Sequence, residues 1–153
     1  MHIFDLLRYL VGDVEVTSAE RATSGADYSW HGLARLLSGP GVVNFEITAS
    51  VHAEWTEGFD IYGDLGHLRI RVPFPFTHAS SEVTLFEESQ STRTSPVFGH
   101  CDPYQRQLES FAQSIRDDTL PQPGVEDGIA ALEMVEAVHA AAESDTWVML
   151  DGT

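Results

Sequence analysis

Lysine is absent from this chain of 153 residues, and all eight of its basic residues are arginine. Without an ε-amino group the chain supplies neither a Schiff base nor a lysine general acid. Cys101 stands alone, which excludes an intrachain disulfide and a multi-cysteine metal site and agrees with a reducing compartment. No apolar run approaches the roughly 20 residues that a membrane-spanning helix requires, and the start lacks the basic region and small-residue cleavage site of a signal peptide. We therefore expect a cytoplasmic protein with no membrane partner. Positive charge is scarce as well: twenty-four acids outnumber eight arginines, for a formal net charge of -16. Such a chain repels nucleic-acid phosphates, so no nucleic-acid partner is expected. The acids are spread through every segment instead of forming a tail, the pattern of a solvated acidic surface, and we expect a halophilic host.

The hydrophobic share of 42% is that of a globular protein despite the charge, and the length suits one core, so residues 1–153 are expected to form a single domain. Ile3, Leu6, Leu7, Leu10 and Val11 fall at helical spacing and Gly12 follows where a helix would stop. On another side of that helix His2, Asp5 and Tyr9 line up, placing an imidazole, a carboxylate and a phenol on one stripe. That stripe is the first functional candidate.

From Val14 to about Glu88 the period becomes two. Val14–Ser18 and Tyr28–Leu37 are candidate strands, and Val43, Phe45, Ile47, Ala49 and Val51 alternate with polar residues in a clearer third. Phe59 and Ile61, the connection Gly63–Gly66, and Leu68, Ile70 and Val72 make the best hairpin; Pro73 and Pro75 break the run before a last strand at Val83–Glu87. Asp102 and Pro103 then open a helix with Tyr104, Leu108, Phe111, Ala112 and Ile115 as its apolar stripe, ending near Asp118. After Pro121–Gly124 a second helix begins at Glu126 and Asp127, with Val125, Ile129, Leu132, Val135 and Val138 inward. Trp147–Leu150 is a candidate final strand.

Short connections favour antiparallel pairing. The expected fold is α+β: an open, mainly antiparallel sheet of about six strands with helices on one face. Trp30, Phe45, Trp55 and Tyr62 are too many large residues to lie under helices on one face alone, so a homodimer packed sheet on sheet is expected.

Three stretches together resemble the C-terminal domain of the glucose-fructose oxidoreductase, inositol dehydrogenase and MocA family (Gfo/Idh/MocA), a dihydrodipicolinate-reductase-like fold. They are Met1–Leu10 with Gly12, the hairpin Phe59–Leu68, and Tyr104, Leu108 and Phe111 followed by Glu126-Asp127-Gly128, Leu132, Val135, Glu136 and Ala137. The resemblance implies an NAD(P)-dependent oxidoreductase of sugars or polyols, in which hydride passes between the substrate carbon and the nicotinamide while a lysine and a histidine manage the hydroxyl proton. His2 matches that histidine. An imidazole exchanges protons near neutral pH, and Asp5, one turn along, can fix its tautomer. His2 also reads as a frayed terminal residue, and Asp5 as a helix-start acid favoured by the dipole. His100 and Tyr104 flank the start of the first closing helix and could face a sugar or polyol, although Tyr104 fits the apolar stripe equally well.

The family's nucleotide-binding half has no counterpart here. No Gly-x-Gly-x-x-Gly turn joins a strand to a helix, and Gly39-Pro40-Gly41 lies in a hairpin turn. We expect no Rossmann domain and no cofactor bound by this chain alone, with NAD or NADP belonging to the full-length family; the family's lysine falls in the missing half. The chain is then either a piece of an oxidoreductase, inactive by itself, or a free-standing dimeric ligand-binding module that works with a separate Rossmann subunit. The remaining histidines show no repeated metal spacing, so no metal is expected. Asp102 beside Cys101 opposes a thiolate. Trp30 and Trp55 could stack on a sugar ring, with interface packing the competing use.

Overall fold

The computed structural model describes residues 2–50, 55–73, 79–99 and 101–144. In chain order the elements are α1 (His2–Val11), β1 (Val14–Ser24), β2 (Asp27–Leu36), β3 (Val42–Ala49), β4 (Glu57–Gly63), β5 (Gly66–Val72), β6 (Glu82–Glu87), β7 (Thr92–Thr94), α2 (Pro103–Asp117) and α3 (Val125–Glu143). The chain divides into two compact units, one of residues 1–53 with 123–153 and the other of residues 54–122. The α+β class and the antiparallel pairing hold throughout, with the described strands sorted into a three-stranded sheet, β1-β2-β3, and a four-stranded sheet, β4-β5-β6-β7. Alternation reports which residues share a face but not which strands are neighbours, so this division was not visible in the sequence. Val51 and Trp147–Leu150 lie outside the described residues.

In the first unit α1 stops at Gly12, whose φ of 88° is accessible to glycine and whose N–H donates to the Arg8 carbonyl at 2.8 Å. Its buried residues are Phe4 and Leu7. Phe4, which the sequence stripe omitted, meets Phe45 of β3 edge to face, with ring centroids 5.8 Å apart. A bulge between Val16 and Ser18 resets the alternation of β1 and brings Ala19 opposite Gly32. Gly32 is required there by proximity: a Cβ would collide with the Phe45 ring and the Ser18 carbonyl.

The helices lie on the face of this sheet that carries Trp30 and Phe45. Trp30 meets His139 of α3 edge-on at 5.4 Å and stacks on Tyr28 at 5.9 Å. Two of the four large aromatics expected to need a partner are therefore packed against α1 and α3. Of the predicted stripe of α3, Val138 is buried and Val135 half-buried, while Val125, Ile129 and Leu132 are exposed; Ala131 and Met134 complete the buried face in their place. This helix is apolar on most sides, so its periodicity does not single out a buried face. Burying Phe4, Leu7, Met134 and Val138 contributes about 2 kcal/mol each. The opposite sheet face is mainly polar, although it also carries the exposed Leu33 and Val42, and it is internally bonded: Arg35 pairs with Glu15, Ser29 with Thr48 at 3.0 Å, and His31 Nε2 with Asn44 Oδ1 at 3.2 Å.

In the second unit the predicted hairpin is β4–β5, joined through Asp64 and Leu65. The three-residue β7, polar throughout, escaped the sequence reading. The cap of α2 is as expected, with Asp102 Oδ1 accepting from the backbone N–H groups of Tyr104 at 2.9 Å and Gln105 at 3.2 Å. Its stripe is not core. Leu108 is 70% and Ile115 67% exposed, Tyr104 and Phe111 are about half exposed, and Ser114 is the buried residue of the helix. Every buried apolar side chain among the described residues belongs to the first unit.

Candidate functional site

The spacing of the first ten residues folds them into α1, and the packing of Phe4 and Leu7 sets which way its other faces point. His2 stands exposed at the start of the helix, and Asp5, half-buried, follows in its first turn. The structure thus brings these two together on one helix. Neither forms a hydrogen bond or ion pair among the described residues, so both keep their polar atoms available to a ligand. Tyr9, the third member of the stripe, is 86% exposed.

The helix is held in place by Arg8. Its Nε donates to Asp13 Oδ1 at 2.8 Å and its Nη1 to the Asp127 carbonyl at 3.4 Å, at the start of α3. Asp127 Oδ2 in turn accepts from the Gly124 N–H at 2.8 Å and closes the N-terminus of α3. The side chain of Arg8 is only 19% exposed while that of Asp13 is 64% exposed, so of its two contacts the part-buried one to the Asp127 carbonyl is the better shielded from solvent.

Tyr104 lies at the start of α2 in the second unit, with its backbone N–H on the Asp102 cap. His100 lies outside the described residues. Beside Tyr104, Arg106 Nε donates to Cys101 Sγ at 3.3 Å, and this contact raises the pKa of the guanidinium further above its ordinary value. Cys101 therefore has a cationic neighbour that the sequence reading, which saw only Asp102, missed.

A dense polar cluster was also missed. Asp60 of β4 accepts from Arg69 Nε at 2.6 Å and His67 Nε2 at 3.2 Å on Oδ1, and from Arg71 Nη2 at 2.7 Å on Oδ2. Hydrogen bonds from Arg71, Arg69 and His67 hold its carboxyl well below the usual carboxylate range, outweighing partial desolvation. The Tyr62 ring stacks on His67 with centroids 4.3 Å apart and planes 5° from parallel. The signal was in the alternation, since Asp60 and Tyr62 face Arg69 and His67 once the hairpin register is known.

In the first unit a cavity of about 350 Å³ borders the β1 bulge, lined among others by Glu20, Arg21, His31 and Asn44. No group of three or more metal-ligating side chains occurs among the described residues. No helix among them is long and apolar enough to cross a membrane. The described residues do not fit a dinucleotide: all strand pairs are antiparallel hairpin partners, and carboxylates of Asp102 and Asp127 already occupy the N-termini of α2 and α3, where a pyrophosphate would sit.

Residues 1–150 match the family model of the oxidoreductase family C-terminal alpha/beta domain, of the Gfo/Idh/MocA type. The chain belongs to that family. This family member is 27% identical over 116 residues to a D-xylose 1-dehydrogenase [NADP(+)] of Haloarcula marismortui, a match covering 75% of this chain and 31% of that protein. Among solved structures it resembles a candidate NADPH-dependent oxidoreductase of Desulfitobacterium hafniense, with a TM-score of 0.77 at 17% identity, over 95% of this chain and 44% of the other. It also resembles the aldose-aldose oxidoreductase of Caulobacter crescentus solved with glycerol, with a TM-score of 0.73 at 18% identity, over 97% of this chain and 45% of that one. The chain thus spans less than half the length of these relatives.

Proposed function

We propose that this chain is the substrate-binding and dimerising domain of an NAD(P)-dependent oxidoreductase acting on a sugar or polyol in the cytoplasm. The observation that carries the proposal is the match over residues 1–150 to an oxidoreductase C-terminal domain. The xylose dehydrogenase relative and the glycerol-bound aldose oxidoreductase support the substrate class. Redox chemistry would come from NAD or NADP held outside this domain, either by another part of a longer chain or by a separate Rossmann subunit.

Within this reading His2 is the residue that takes or returns the proton of the reacting hydroxyl. It is exposed at the start of α1, and an imidazole exchanges protons near neutral pH. Asp5 orients it or binds a neighbouring hydroxyl, directly or through water. Tyr104 and His100, which belong to the second unit, are proposed separately as sugar or polyol contacts. Two copies pair through their sheet faces, and the excess of acids adapts the surface to a salt-rich cytoplasm.

The chain alone, incubated with NAD or NADP and a panel of polyols, is expected to give no turnover, because it supplies no hydride donor or acceptor. Titration with D-xylose and glycerol, followed by the ring resonances of His2, is expected to show a saturable shift that Asp5→Ala weakens. Turnover would refute the division of labour, and unperturbed His2 resonances at millimolar sugar would refute its role.

A further inference from the structure

The two sheets carry opposite charge on their polar faces. On the four-stranded sheet the face bearing Asp60 also carries Arg69, Arg71 and Arg93, three of the eight arginines in a chain of net charge -16. Asp60 is shared between Arg69 and Arg71, Glu82 stands opposite Arg71, and Arg93 forms no ion pair among the described residues. Three guanidiniums therefore face two carboxylates. Tyr62, His67, Phe86 and Arg93 form one row across all four strands, giving this face a flat aromatic centre with a cation at its edge. Tyr62 is 73% exposed.

On the three-stranded sheet the polar face has the reverse pattern. Glu20, His31 and Glu46 form one row across β1, β2 and β3. Neither glutamate is ion-paired among the described residues, while the arginine of that face, Arg35, is already held by Glu15.

Building on the sheet-faced homodimer proposed above, we infer that the arginine-bearing face of the four-stranded sheet docks on the glutamate-bearing face of the three-stranded sheet of a second copy. Stacked sheets lie roughly 10 Å apart, a gap that an arginine and a glutamate reaching toward one another can bridge. Aromatic side chains at the centre with ion pairs toward the edge follow the usual anatomy of a protein interface. Charge fixes the orientation, because like faces would oppose guanidinium to guanidinium or carboxylate to carboxylate. A polyanion is a poor alternative occupant, since the rest of the molecule repels it.

Charge reversal tests the pairing. Sedimentation equilibrium of the full chain compares wild type, Arg93→Glu and the double variant Glu20→Arg/Glu46→Arg, each checked for wild-type far-UV circular dichroism. Wild type is expected to be dimeric and each variant alone to dissociate with a Kd raised at least about 10-fold, the cost of one close charge pair turned repulsive. An equimolar mixture of the two variants is expected to recover a heterodimer, because the carboxylate introduced in one copy then meets a guanidinium introduced in the other. Variants that stay dimeric on their own, or a mixture that stays monomeric, overturn the pairing while leaving the dimer itself in place. A monomeric wild type overturns the dimer and the pairing together.

Discussion

Phe4 and Phe45 meet edge to face at 5.8 Å, and through this contact the helix carrying His2 and Asp5 is seated on the three-stranded sheet. Truncating a buried phenylalanine costs about 3–5 kcal/mol, through lost transfer energy and the cavity left behind. Phe4→Ala is expected to lower stability by about that amount in urea denaturation, whereas Tyr9→Ala on the exposed side of the same helix should change it by less than about 0.5 kcal/mol. Equal effects of the two substitutions would mean that α1 is not packed as described.

Gly32 has room for no side chain between the Phe45 ring and the Ser18 carbonyl. Gly32→Ala is expected to destabilise the first unit by about 1–3 kcal/mol through overpacking. A neutral result by thermal denaturation would show that the β1 bulge leaves more space than its geometry indicates.

The Asp60 network predicts a pH dependence whose sign is fixed. The folded carboxyl titrates below its ordinary value of 3.8, so the unfolded chain binds the proton more readily. The stabilisation is therefore fully present above pH 3.8 and is lost as pH falls through the folded value. The Tm difference between wild type and Asp60→Asn is expected to stay constant from pH 8 to pH 5 and to shrink in acid. A difference that instead grows below pH 4 would contradict the assignment.

Arg8 joins α1 to the start of α3 by way of Asp127. Arg8→Met keeps much of the side-chain length but removes both hydrogen bonds, and is expected to cost about 1–3 kcal/mol. It should also speed amide exchange in residues 2–11, as measured by hydrogen–deuterium exchange. Unchanged exchange there would remove Arg8 as the anchor of the helix.

The acidic surface gives a prediction about salt. With a net charge of -16, screening relieves self-repulsion in the folded state, and Tm is expected to rise steadily from dilute buffer to molar potassium chloride. A Tm that stays flat or falls across that series would remove the halophilic reading.

Much of the architecture was legible because it rests on local rules. The Asp102-Pro103 cap, the stop at Gly12 and the alternation of β3 and of the β4–β5 hairpin each follow from a few adjacent residues. The rest needed distance information. Nothing near Phe4 reveals that it reaches Phe45, α3 offers several apolar faces, and Asp60 finds three cationic or imidazole partners only once register is set. The site divides in the same way. His2 and Asp5 could be placed on a helix from spacing alone, whereas the Arg106 neighbour of Cys101 depends on the geometry of a capped turn.

The uneven distribution of buried apolar groups has a kinetic consequence. A protease at low dose should make its first cuts between residues 54 and 122, the unit that holds none of the buried apolar side chains among the described residues. The fragments that survive longest should be those that carry Phe4, Met134 and Val138.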